Sequence, residues 1–163
     1  MLHNPFLNRS MICSVDEFFG RQRELNYVMG RIGAPTPQSV SVLGERRTGK
    51  SSFLWHIAQK QVHSRYFDEP ERYVFVLVDF QGRPNLSEEE FCRFFGEQLR
   101  AGVPAAVDIP PLRNTADILT AVQNLTGAGL RLVCLFDEFE SITRNAGFSA
   151  GFLRTAQVNE RYP

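Results

Sequence analysis

An α/β fold, a parallel sheet with helices on both faces, is predicted by three observations. Strand and helix signals alternate from Val40 to Phe136. Two stretches, Tyr73-Val-Phe-Val-Leu-Val-Asp79 and Leu130-Arg-Leu-Val-Cys-Leu-Phe136, are nearly continuous apolar runs, as expected of strands buried on both faces. Between the apolar residues Val40 to Leu43 and a segment of helical periodicity stands Gly44-Glu45-Arg46-Arg47-Thr48-Gly49-Lys50-Ser51, a glycine-bounded turn of the form G-x-x-x-x-G-K-[ST].

In order along the chain, Asn4-Pro5 marks an extended or turned entry in an arm without a clean period. Ser14-Val15-Asp16-Glu17 fits a capping box, interrupted by Phe18-Phe19-Gly20. From Arg21, the residues Leu25, Val28 or Met29, and Ile32 follow helical spacing, and Gly33 with Pro35 and Pro37 beyond it stops the helix. Val40 to Leu43 is read as a first strand, and the helix after the turn as running to about His63 through Phe53, Leu54, Ile57 and Ala58. Ser87-Glu88-Glu89-Glu90 is a second capping box, opening a helix with Phe91, Phe94, Phe95 and Leu99 on one side and Gly102 at its end. Asn114 caps a helix through about Leu125, closed by Gly127 and Gly129. Phe148 to Tyr162 carries a weaker helical pattern. Two segments follow from this reading: an arm and helix over residues 1–38 and the sheet-bearing core over 39–163.

Composition narrows the function. A chain of 163 residues with 43% hydrophobic and 22% charged residues is an ordinary soluble domain, and its formal charge of zero supplies no global field for nucleic acid or an anionic membrane. No apolar stretch approaches the roughly 18 residues of a membrane span. Cys13, Cys92 and Cys134 are scattered and read as free thiols, and the chain as cytoplasmic. His56 and His63 have no partners at ligand spacing, so packing or surface roles are expected of them.

The glycine-bounded turn is the feature with chemistry in it. Gly44 and Gly49 let the backbone aim several N–H groups at one point, where the following helix adds the positive end of its dipole. Lys50 brings a compact ammonium to the β and γ phosphates of a nucleotide, and the Ser51 hydroxyl is a ligand for magnesium. Lys occurs in this chain at positions 50 and 60 alone against sixteen Arg, so a point charge where the chain otherwise uses a planar fork fits a phosphate role. Glu45 is expected to point away from the anion. Arg46 and Arg47 have two readings, contact with phosphate or a neighbouring subunit, and exposure to solvent. Of two strands ending in Asp, the one ending in Asp137-Glu138 is the better complement, with Asp137 toward magnesium and Glu138 polarising water; Asp79 is the other.

With these residues assembled, the chain resembles the AAA+-related P-loop ATPases, and among them the STAND branch with its archaeal and origin-recognition-like relatives. The resemblance rests on Asn4-Pro5-Phe6, Phe19-Gly20-Arg21-x-x-Glu24-Leu25, the Walker A stretch Gly44 to Ser52, the Walker B stretch Leu132 to Glu138, and Val78-Asp79-Phe80-Gln81-Gly82. It implies that Phe19, Gly20 and Arg21 lie near adenine and ribose, that Ser52 belongs to the phosphate site, and that the module is an ATP- and Mg2+-dependent switch. It also implies a strand order of 5-1-4-3-2, in which this chain is truncated before strands four and five. The missing fourth strand should leave the first without a neighbour, which points to self-association or a partner chain completing the sheet. Two other readings are a nucleic-acid-remodelling ATPase, disfavoured by the neutral charge, and a module that binds nucleotide without turnover.

Overall fold

The computed structural model describes residues 11–83, 85–143 and 148. The elements are α1 (Gln22–Gly33), α2 (Lys50–Ile57), α3 (Lys60–His63), β1 (Tyr73–Asp79), α4 (Glu88–Gly102), α5 (Thr115–Gly127), β2 (Arg131–Asp137) and α6 (Glu140–Thr143). They divide between two compact units, Met1–Pro70 and Glu71–Pro163.

The second unit holds the sheet. β1 and β2 are parallel and paired in register from Tyr73 with Arg131 to Asp79 with Asp137, and Phe80 N–H extends the ladder to Asp137 O at 3.1 Å. Parallel neighbours need a crossover, here through α4 and α5. Both helices start where the sequence says: the Ser87 and Asn114 side chains accept from the backbone N–H groups of Glu90 and Asp117, whose carboxylates accept in return. Gly129, at φ +74°, turns the chain out of α5 and into β2.

Val74, Val76 and Val78 share one face of the sheet with Leu132, Cys134 and Phe136 and pack on Phe91, Cys92, Phe95 and Leu99 of α4 and Ala121 and Leu125 of α5. Burial pushes the thiols of Cys92 and Cys134 up to about 11 and about 12, the environment of packing residues. The opposite face carries Phe75, Leu77, Val133 and Leu135, so neither face of the sheet is polar. At the carboxyl end of the strands Phe80 is buried, with ring centroids 5.9 Å from Phe91, 5.8 Å from Phe136 and 6.3 Å from Phe139. The result is an α/β fold on a parallel sheet, two-stranded among the described residues, consistent with a truncated P-loop-type fold. The second and third strands of the implied order are neighbours.

The first unit departs from expectation in two places. Residues 40–43 form no strand: their backbone joins no ladder, and Leu43 is 89% exposed. A strand of four residues gains nothing without a neighbour to receive its N–H and C=O groups. The helix expected to reach His63 breaks at Ala58-Gln59, where Gln59 takes extended geometry (φ −80°, ψ 129°). Side chains satisfy the carbonyls so released, Gln59 Nε2 donating to Trp55 O at 2.8 Å and His63 Nε2 to Ile57 O at 2.6 Å. The expected interruption after Ser14 to Glu17 is present as a turn, where Gly20 and Arg21 both take left-handed geometry, at φ +80° and +53°, and redirect the chain. α1 then begins at Gln22 and buries Leu25, Val28 and Met29. Asn4 to Phe6, and the helical pattern after Phe148, lie outside the described residues.

Candidate phosphate-binding site

The turn from Gly44 to Gly49 leads directly into α2, as the motif requires. Gly49 sits at φ +82° and Arg47 at φ +66°, left-handed positions that bend the loop back on itself. Gly44 has a steric reason: a Cβ there would stand 3.0 Å from Thr48 Oγ1. α2 is anchored by its apolar circumference, burying Phe53, Leu54 and Ile57 together with Ser52 and His56. Its first turn is thereby held while the loop before it stays exposed at Gly44 to Thr48.

Three side chains shape the loop. Thr48 Oγ1 donates to Glu45 O at 2.9 Å. Lys50 Nζ donates to Gly44 O and Glu45 O, both at 3.0 Å, so the ammonium lies across the concavity that its own loop encloses. A guanidinium N–H of Arg21 donates to Thr48 O, from 27 residues earlier in the chain. The donor set fits a polyphosphate: a left-handed glycine, a helix amino terminus and an ammonium. Ser51 is half-buried in the first turn of α2. Ser52 faces elsewhere, its buried Oγ accepting from Ile12 N–H at 3.0 Å. Arg46 and Arg47 are exposed.

The stretch ahead of α1 lies on this same helix. The Phe18 ring stacks on His56 with centroids 4.1 Å apart and 18° between planes, and the Arg21 guanidinium stands 5.9 Å from the Phe53 centroid. Phe19, between them, is 75% exposed. Phe18 and His56 are packing partners, in line with the packing role expected of His56. His56 Nδ1 is buried without a hydrogen-bond partner, and burial, reinforced by Arg65, lowers its pKa.

In the second unit the two terminal aspartates share one register level. Asp137 is buried, and its Oδ1 accepts from Glu138 N–H at 3.1 Å. Asp79 is exposed, its Oδ1 accepting from Gln81 N–H at 2.8 Å. Glu138 takes φ +54°, an unusual geometry for a residue with a side chain, and its carbonyl accepts from Ser141 N–H at 2.9 Å as α6 begins. That kink at the strand's end and the reach of Arg21 to the glycine loop go beyond the sequence reading, which carries only an indirect signal for each. The adjoining D-E pair after a buried strand was the signal for the first. For Arg21 the signal was its place after Phe19-Gly20.

A family model described as nSTAND2, Novel STAND NTPase 2, matches residues 34–162. The match includes the phosphate loop and the Asp137-Glu138 pair and begins after Phe19-Gly20-Arg21. Comparison with curated proteins and with solved structures found no match. The matched span covers most of the chain and holds both the glycine loop with its lysine and the acid-ended strand, so this chain belongs to the novel STAND NTPase 2 family.

Proposed function

We propose that the chain is the nucleotide-binding part of a STAND-type switch that takes ATP with magnesium. The observation that carries this reading is the loop itself, with Lys50 Nζ lying against Gly44 O and Glu45 O and Gly49 at φ +82° at the start of a buried helix. An incoming polyphosphate exchanges those two contacts of the Lys50 ammonium with neutral carbonyls for ion-paired hydrogen bonds to anionic phosphate oxygens. Phe19, exposed beside the helix, is the face on which adenine stacks, with Gly20 and Arg21 on the same side. The AAA+-related, archaeal-like branch is the narrower affiliation that the Phe19-Gly20-Arg21 stretch supports.

Ser51 and Asp137 are the residues that would hold magnesium, and the ion, when bound, neutralises charge on the phosphates. Glu138 orients the attacking water and accepts its proton as ATP gives ADP and phosphate. The cytoplasm is its compartment. The sheet takes a further strand from another part of the protein, a second copy or a partner chain, since an unpaired strand edge recruits one.

Substituting Lys50 by Ala abolishes binding of ATP, and unchanged binding would contradict the reading. Glu138→Gln keeps binding and removes phosphate release. One observation favours a module that binds without turnover, namely the unpaired residues 40–43 ahead of the loop. A wild-type chain that binds ATP and releases no phosphate is its signature.

A further inference from the structure

We propose that Arg21 is a positioning residue of the phosphate loop, setting the direction of the Gly49 amide, rather than a contact to base or ribose. The inference rests on the nucleotide reading above and goes beyond it. Arg21 is half-buried, takes φ +53° immediately before α1, and spans 27 residues of sequence to place a guanidinium N–H on the Thr48 carbonyl. The same guanidinium lies close to Gly49, 3.9 Å from where a Cβ on that residue would be. Its plane is supported by the Phe53 ring, 5.9 Å from the guanidinium carbon to the ring centroid.

The geometry of the peptide unit gives this contact its consequence. No peptide bond among the described residues is cis. In a planar trans unit the carbonyl and the following N–H point in opposite directions. A donor that captures Thr48 O therefore turns Gly49 N–H to the other side of the chain. Gly49, at φ +82° and free of a side chain, has the widest rotational freedom in the loop, and its amide orientation is the one most in need of an outside constraint. Thr48 Oγ1 and Lys50 Nζ both bond to carbonyls at the opposite end of the loop, those of Gly44 and Glu45, and leave the Thr48-Gly49 unit to Arg21. Arg suits the task because its fork is rigid and always charged.

The test uses the full chain and compares ATP with inorganic tripolyphosphate by calorimetry. Arg21→Gly removes the guanidinium while accommodating the left-handed backbone, so the start of α1 is kept. Losing a charge-assisted bond that holds the loop should weaken ATP and tripolyphosphate by the same factor, about tenfold or more. The Gly49 amide resonance of the ligand-free protein should shift, and Arg21→Lys should restore part of both. Phe19→Ala is the control, expected to weaken ATP and leave tripolyphosphate unchanged. If Arg21→Gly weakens ATP alone, Arg21 reads base or ribose and the proposal is overturned. Unchanged affinity for both ligands, or an unmoved Gly49 amide, overturns it as well. A wild-type chain that binds neither ligand overturns the nucleotide reading itself, and this inference with it.

Discussion

β1 and the stretch from Val40 to Leu43 are both apolar runs that sequence reads as strands, yet only β1 becomes one. β1 has seven residues, a parallel partner paired along its whole length, and a row of valines in the core. Residues 40–43 have no ladder, Val40 and Val42 are only half-buried, and Leu43 stands 89% exposed. Strand propensity describes fit to a half-buried surface and does nothing alone. The same contrast separates the units: the second is held by a core, and the glycine-loop end of the first by hydrogen bonds within a loop.

The largest test of that contrast lies in the aromatic group at the sheet's end. Phe80→Ala should cost about 3–5 kcal/mol, since a fully buried ring leaves a cavity among its neighbours. Hydrogen exchange should show the loss in β1 and β2. A cost under about 1 kcal/mol would mean the core can collapse around the gap.

Acid should act next, and on the first unit. His56 and His63 are both held below the ordinary histidine pKa, in each case mainly by burial, with Arg65 adding to the effect at His56. At His63 the bond to Ile57 opposes burial and Lys60 reinforces it. A folded-state pKa below the unfolded value means the unfolded chain binds more protons, so stability is full above the ordinary histidine value of about 6.5 and declines as pH falls below it. Trp55 is the chain's one tryptophan and sits in α2, so its fluorescence follows this unit. His56→Phe should flatten the decline, and a wild-type midpoint independent of pH between about 7 and 5 would contradict the account.

Smaller still is Asn114→Ala, which removes the α5 cap and should cost about 1 kcal/mol by denaturant titration. Leu43→Ser should change stability by less than about 0.5 kcal/mol, because the side chain is already in water. A larger loss would show that residues 40–43 are paired in solution.

These sizes parallel what could be read from the chain. The capping box at Ser87, the cap at Asn114, the stop at Gly33 and the two long strands were legible because local chemistry and burial point the same way there. The break at Gln59 was not, since it depends on His63 and Gln59 side chains finding released carbonyls. Nor was the left-handed geometry of Arg21, a residue whose side chain gives no local signal for it. At the site, residue types were legible from the motif, while the bond from Arg21 to Thr48 joins segments that no local rule connects.

The central claim is that the loop from Gly44 to Ser51, with Lys50 across it, grips a nucleotide's polyphosphate. Calorimetric titration of the chain with ATP and magnesium, beside the Lys50→Ala variant at matched folding by circular dichroism, tests it most directly. The account predicts saturable binding to the wild type and none to the variant; equal binding to both would contradict it.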